Sequence, residues 1–144
     1  TGALARVEEL FLGSIPLGPA GGSALLSGFN CGDAPRLKFL NLENTVLGDE
    51  GAASLAAALS RGALPKLEVL QVGFNEMGDE GLAALAGPLR QRSALKRLQL
   101  DGNRVSNVGL SALLDNLGAK EFKQLDSLYL NNNQRIQRVA RTEE

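Results

Sequence analysis

The sequence repeats itself at a nearly constant interval, which limits the chain to folds built by stacking copies of one unit. The copies begin at Val7, Leu37, Leu67, Leu95 and Leu125, with start-to-start spacings of 30, 30, 28 and 30 residues. Each copy has apolar residues at its first, fourth and sixth positions. In the first four copies a glycine follows fourteen residues after the start and a leucine follows eighteen residues after it. A period between about 20 and 50 residues is typical of solenoids and related arrays.

Each unit combines a strand pattern with a helix pattern. The alternation of Leu40 and Leu42 has a period of two, which indicates a short strand with one face inward. The leucines eighteen and twenty-two residues after the start, such as Leu55 and Leu59, are four apart and share one face of a helix. Neither element can bury its apolar side alone, so neighbouring units are expected to stack.

The sequence therefore predicts an α/β solenoid that forms a single domain over residues 1–144, with about five repeats and an incomplete last one. Parallel strands lie about 4.8 Å apart and packed helices about 8–10 Å apart, so the stack is expected to curve. The strands then line the concave face and the helices line the convex face.

Acidic residues mark the predicted start of the helices. Asp49 and Asp79 stand where a side-chain oxygen can cap free N–H groups of a helix, and Asn107 takes this place in the fourth unit. The pairs Asp49–Glu50 and Asp79–Glu80 could also be considered as a cation site. They lack the spacing of a calcium loop, and capping explains why they recur with the repeat.

These residues resemble a known family. Leu-x-x-Leu-x-Leu-x-x-Asn, followed by Gly-Asp-Glu-Gly at 48–51 and 78–81, resembles the ribonuclease-inhibitor-like subtype of leucine-rich repeats, as found in NLR-type receptors. The resemblance covers about Val7 to Asn133. It implies a ladder of asparagines that bond the backbone of the next unit. Asn75, Asn103 and Asn133 keep this position.

The two ends of the chain depart from the family pattern. Ile15 and Thr45 replace the ladder asparagine, so the ladder is expected to be weaker at the N-terminal end. Terminal repeats of solenoids need polar caps, and neither end here has the composition of one. Residues 134–144 are too few to complete a further helix of the same kind. The apolar ends are expected to be covered by further chain, by a partner or by self-association.

Aromatic residues concentrate on the predicted concave face. The outward positions of the strands and the turns after them hold four of the six aromatic residues of the chain, namely Phe11, Phe39, Phe74 and Tyr129. Aromatic side chains dominate binding energy at interfaces, so these four are predicted partner contacts. The alternative is that they pack against each other or against a terminal extension. The polar residues predicted to share the partner-binding face are Asn41, Gln71, Arg97 and Gln99.

Composition excludes several kinds of function. The net charge is −1, which favours neither nucleic acid nor an anionic membrane as a partner. No apolar run approaches the roughly 20 residues of a membrane-spanning helix, so no membrane insertion is expected. There is no histidine, and Cys31 is the single cysteine. We therefore predict no enzyme activity and no catalytic, cofactor-binding or metal-binding residues. A lone thiol fits a reducing compartment, so an intracellular location is expected, either cytoplasmic or inside an organelle if the chain is processed.

The remaining hypotheses all involve binding to proteins. The first is a protein–protein interaction module or scaffold, as an accessory subunit of a larger assembly. The alternative is a regulator, an inhibitor or activator of an enzyme, or the ligand-sensing repeats of a larger receptor-like protein. A regulator is expected to have a charged concave face or rim, and the predicted face positions hold few charges.

Overall fold

Strands and helices alternate along the chain. The computed structural model describes residues 4–117 and 125–133, apart from the side chain of Leu117. The strands in this part are β1 (Glu9–Phe11), β2 (Phe39–Asn41), β3 (Val69–Gln71), β4 (Arg97–Gln99) and β5 (Ser127–Tyr129). The helices are α1 (Gly18–Ser27), α2 (Gly48–Ser60), α3 (Asp79–Arg90) and α4 (Asn107–Leu117). Residues 134–144, where the fifth repeat was expected to stop, lie outside the described residues.

The strands form one parallel sheet in sequence order, β1-β2-β3-β4-β5. Every strand residue pairs with the equivalent strand residue of the next unit, as Leu10 pairs with Leu40 and Leu40 with Leu70. This register has no slip, because the inward leucines must stay on one face of a period-two strand. The predicted α/β solenoid of stacked repeats is confirmed.

The core lies between the sheet and the helices. Leu40, Leu70 and Leu98 from the strands are almost fully buried, and Leu55 and Leu85 from the helices close over them. Burying one such side chain contributes about 1.5–3 kcal/mol, so each complete unit adds a large stabilising term that only stacking can supply.

Leu25 of the first unit and Leu55 of the second hold the same position in the repeat, but they differ in burial. The Leu25 side chain is 37% exposed, whereas the equivalent Leu55 is fully buried. Helix α1 directs Gly22 and Leu26 toward the second unit. Its other flank, which carries Leu25, has no preceding helix to cover it among the described residues.

Asparagines connect the units, but in the direction opposite to the predicted one. Asn75 Oδ1 accepts from the N–H groups of Thr45 (2.9 Å) and Leu47 (3.2 Å), and Asn75 Nδ2 donates to the carbonyl of Leu42 (2.8 Å). Asn103 Oδ1 likewise accepts from the N–H of Asn75 at 3.0 Å. The ladder asparagine therefore bonds the preceding unit, since each turn leaves its free N–H groups facing the following unit.

The aspartates also act between units, so the prediction that each caps its own helix is wrong. Asp49 Oδ1 accepts from the N–H groups of Gly78 (2.7 Å) and Gly81 (3.0 Å), at the start of α3 in the next unit. Asp79 Oδ1 repeats this geometry at the start of α4, with Ser106 (2.8 Å) and Gly109 (3.1 Å). A carboxylate at a helix N-terminus also interacts favourably with the helix dipole.

The aspartate caps explain the recurring glycine in the third and fourth units, Gly81 and Gly109. A Cβ atom on Gly81 would lie 2.6 Å from Asp49 Oδ1, and one on Gly109 would lie 2.4 Å from Asp79 Oδ1. These separations are shorter than any side chain tolerates. The glycine is needed because the carboxylate of the preceding unit occupies the space of its side chain.

Arginines cap the other ends of the helices, a feature that sequence reasoning missed. The Arg61 guanidinium donates to the carbonyls of Leu26 (3.3 Å) and Phe29 (2.7 Å) at the end of α1. Arg92 donates to the carbonyls of Leu59 and Ala63 after α2. Burial lowers the pKa of Arg92. A positive charge at a helix C-terminus complements the dipole, so the pair α2 and α3 is held at its two ends by opposite charges, Asp49 and Arg92.

Candidate protein-binding face

The outward side chains of the five strands form one continuous surface. The pairing places Glu9, Phe39, Val69, Arg97 and Ser127 in one row and Phe11, Asn41, Gln71, Gln99 and Tyr129 in a second row. We call these two rows, with the turn residues that directly follow the strands, the strand face. All eight residues predicted to contact a partner lie on it.

Phe11 and Phe39 form an aromatic pair at the N-terminal end of the strand face. Their ring centroids are 5.1 Å apart and the rings are inclined by 35°. The Phe11 side chain is nevertheless 56% exposed, and Phe39 is half-buried. The alternative that the aromatic residues pack against each other therefore holds for this pair, while most of the Phe11 ring still faces outward.

Phe74 lies in the turn after β3 and has an unusual backbone. Its φ angle is +54°, in the left-handed region. All five units use this region at the equivalent position, where the other residues are Ser14, Asn44, Gly102 and Asn132. A bulky residue there costs roughly 1–2 kcal/mol relative to glycine. Phe74 is also 45% exposed, so burial does not offset this strain.

Tyr129 lies apart from the other aromatic residues. It is half-buried on β5, three strands from Phe39 on β2, which is roughly 14 Å at a strand spacing of about 4.8 Å. The structure therefore does not bring the four aromatic side chains together. They divide into the pair on β1 and β2, the single Phe74 in the turn after β3, and Tyr129 at the far end.

The polar residues of the strand face are partly engaged with each other. Gln71 Nε2 donates to Gln99 Oε1 on the adjacent strand. Asn41 Oδ1 accepts from the Glu43 N–H at 2.8 Å, which orients the turn after β2. The Arg97 residue is exposed. These contacts hold the middle of the face in one arrangement.

A row of alternating charges borders the strand face, and sequence reasoning missed it. The residues directly before the strands are Glu8, Lys38, Glu68, Lys96 and Asp126. Lys38 Nζ lies 3.9 Å from Glu8 Oε1, and Lys96 Nζ lies 3.8 Å from Glu68 Oε1. Such exposed pairs contribute about 0–1 kcal/mol each. The alternation of sign at the second position of the repeat would have revealed the row.

The described part of the chain offers little for other chemistry. Among residues 4–117 and 125–133, no three His, Cys, Asp or Glu side chains are grouped so that they could hold a metal ion. The longest helix in these ranges, α2, has 13 residues, and no helix there is long and apolar enough to cross a bilayer. Cys31 is an exposed free thiol.

Comparison with known proteins identifies the class of the fold. Residues 35–56, 63–86 and 93–114 match the sequence model of a family described as "Leucine Rich repeat". Together with the five stacked strands and four helices, this match shows that the fold is a leucine-rich-repeat solenoid.

A solved structure described as "Leiomodin-1 Actin-Binding Site 2 (ABS2)" shares this fold. It superposes with a TM-score of 0.71 at 17% sequence identity, over 88% of this chain and 72% of that chain. At this identity the likeness is one of fold. No curated protein sequence matches the chain significantly.

Proposed function

We propose that this chain is a protein-interaction module that binds its partner on the strand face and serves as a scaffold or accessory subunit of a larger assembly. The observation that carries the proposal is the exposed aromatic surface at the N-terminal end of this face. The Phe11 ring is 56% exposed although its strand, β1, is paired in register with β2. Large aromatic side chains left in water on an ordered sheet are typical of interface anchors.

The framework beneath the face supports this proposal because it reduces the entropic cost of binding. The strands are in register, and the turns behind them are held by buried bonds such as Asn75 Oδ1 to Thr45 N. A surface that is already ordered loses less conformational freedom when a partner binds.

We propose that the aromatic pair and the polar residues near it make the main contacts, with Tyr129 as a second, separate contact. Arg97 and Asn41 would give the polar contacts that usually surround an apolar centre. The charges on the rim pair with each other, as Lys38 does with Glu8. A rim whose charges alternate in sign does not attract a partner of high net charge. This favours an interaction module over an inhibitor that binds through a charged face.

The test is affinity capture with mass spectrometry from native extract, using the chain and two matched variants. Phe11→Ser with Phe39→Ser removes the aromatic pair. Val108→Ser removes an apolar side chain that is 72% exposed on α4, on the opposite side of the molecule. Both variants are first checked for native circular dichroism. We expect a defined set of proteins to be lost with the aromatic variant and kept with Val108→Ser.

A purified protein gives a second, defined arm of the test. Because the structural neighbour is described as an actin-binding site, filamentous actin is a concrete probe for co-sedimentation with the same variants. Retention of all captured proteins by the aromatic variant, together with their loss in Val108→Ser, would place the binding surface on the helices and refute the proposal.

A further inference from the structure

We propose that Phe74 and Glu43 form a recognition site for one arginine side chain of the partner, at the edge of the strand face where the strands end. This inference deepens the proposed function and rests on it. It concerns a different part of the face from the aromatic pair on β1 and β2.

The first observation is that Phe74 is the one bulky residue among the five at this position of the repeat. Asparagine and glycine tolerate the left-handed region, and Asn44, Gly102 and Asn132 fill this column together with the small Ser14. Phenylalanine is the exception, with φ of +54° and an exposed ring. A strained residue that gains little burial is typical of a binding site.

The second observation is that the next unit makes room for the ring. A Cβ atom on Gly102 would lie 2.3 Å from Phe74 Cδ1 and 2.4 Å from Phe74 Cε1. The ring therefore lies in the space that a side chain at 102 would need. Gly102 has a φ of +68°, so glycine also suits its backbone. The close approach of Phe74 to Gly102 holds the ring in one place and leaves part of it exposed to solvent.

The third observation is a carboxylate beside the same concavity. Glu43 and Phe74 line it together with Gly13, Ser14, Asn41 and Asn44, and none of these residues is basic. The Glu43 backbone is held by its N–H bond to Asn41 Oδ1. Within the described residues, the Glu43 carboxylate makes no hydrogen bond or ion pair, whereas the rim glutamates Glu8 and Glu68 each pair with a lysine.

An aromatic ring, a carboxylate and amide groups around one concavity match the chemistry of a guanidinium. The planar cation stacks on an aromatic ring and donates two parallel hydrogen bonds to a carboxylate. The amide oxygens of Asn41 and Asn44 are further acceptors. A lysine ammonium is a point charge that uses the ring and the carboxylate less completely, so the proposal is specific for arginine.

The test uses a small probe on the whole chain, so that no partner needs to be known. N-acetyl-arginine N-methylamide is titrated into isotope-labelled protein, and backbone amide shifts are followed by NMR. The control probe is N-acetyl-citrulline N-methylamide, which has nearly the same shape and no charge. We expect saturable shifts at Glu43, Asn44 and Phe74 with the arginine probe and none there with the citrulline probe.

Two variants separate the roles of the residues. Phe74→Asn installs the residue that this column has at 44 and 132, and Glu43→Gln removes the charge. Each should weaken binding of the arginine probe about ten-fold, as expected for loss of a cation–π contact or a charge-assisted bond. Val108→Ser is the matched control and should bind the probe normally.

The proposal is overturned if both probes shift the same amides equally, or if Phe74→Asn binds the arginine probe as the native chain does. Neither result touches the partner capture that depends on Phe11 and Phe39. Failure of the arginine site is therefore distinguishable from failure of the proposed function. A large loss of thermal stability in Phe74→Asn would instead show that the ring is a packing residue, which also overturns the proposal.

Discussion

The contact between the first and second units differs from the contact between the second and third, although the backbones stack in the same way. At the second contact, Asn75 bonds back to the turn of the second unit, Asp49 caps α3 and Arg92 caps α2. At the first contact, Arg61 caps α1, but Thr45 of the second unit and Pro19 of the first stand where the asparagine and aspartate would be.

The residue that replaces the ladder asparagine in the second unit does not reach back to the first. The Thr45 hydroxyl donates to the carbonyl of Leu42 in its own unit at 2.7 Å, and its oxygen lies 3.1 Å from Asn75 Oδ1 of the following unit. The first unit is held mainly by the strand ladder, by the core and by Arg61. Apolar stacking is thus sufficient for the fold, while the side-chain hydrogen bonds between units determine how stable each unit is. The weakly tied unit also carries Phe11, the most exposed aromatic side chain of the proposed binding surface.

The largest effect is expected when the ladder is broken at the second contact. Asn75→Ala leaves the buried N–H groups of Thr45 and Leu47 without partners and removes one of the two hydrogen bonds to the buried carbonyl of Leu42. We expect a loss of about 3 kcal/mol in the free energy of unfolding, since each unsatisfied buried group costs about 1–3 kcal/mol. Urea denaturation followed by circular dichroism measures it. Asn30→Ala, at an exposed asparagine with an ordinary backbone, is the control, and equal losses in the two variants would contradict the ladder.

A smaller effect should follow from filling the recurring glycine position, and it should depend on whether a preceding unit packs against that position. Gly81→Ala places a methyl group 2.6 Å from Asp49 Oδ1 and should cost about 2 kcal/mol through overpacking. Gly21→Ala meets only Leu17 Cβ at 3.6 Å. It should be neutral or stabilise the chain by up to about 1 kcal/mol, because alanine favours a helix. Thermal unfolding measures the stability of both variants. An equal loss of stability in Gly21→Ala and Gly81→Ala would contradict the prediction.

The aspartate cap predicts both how much stability is lost when it is removed and which helix is affected. Asp49→Ala should destabilise the chain by about 1 kcal/mol, a usual value for a lost N-cap. The local effect should appear in α3 rather than in the helix that contains Asp49. Hydrogen exchange of the Gly78 and Gly81 amides should accelerate, while the first turn of α2 should be little changed. Faster exchange confined to α2 would mean that Asp49 caps its own helix.

The smallest expected effect is a gain at the first contact. Thr45→Asn restores the ladder residue where the chain lacks it and should stabilise the first unit by about 0.5–1 kcal/mol, the net value of an added hydrogen bond. Hydrogen exchange should slow at the Leu12 amide, which bonds the carbonyl of Asn41 in the strand ladder. The same substitution made together with Asn75→Ala tests whether the gain needs an intact ladder beyond it.

The repeat by itself determined most of the fold. The spacing of leucines such as Leu40, Leu42 and Leu55 contains both periodicities, and a unit with those two apolar sides can be buried only by stacking. The same alignment placed all eight predicted contact residues on one face, since a register without slip sends equivalent positions to the same side. That these residues bind a partner stays a prediction.

Only the tertiary structure decided which groups the polar side chains meet. Sequence reasoning assigned Asp49 to its own helix, because chain neighbours are the only neighbours a sequence displays. The family resemblance implied a ladder directed to the next unit, and the structure reverses it. In a stack with strands about 4.8 Å apart, an atom lies as close to the equivalent atom of the adjacent unit as to its own turn. Thus Asp49 meets Gly78 and Gly81, Asn75 meets Thr45, and the ring of Phe74 lies over Gly102. Partners about 30 residues apart become adjacent only when the units stack.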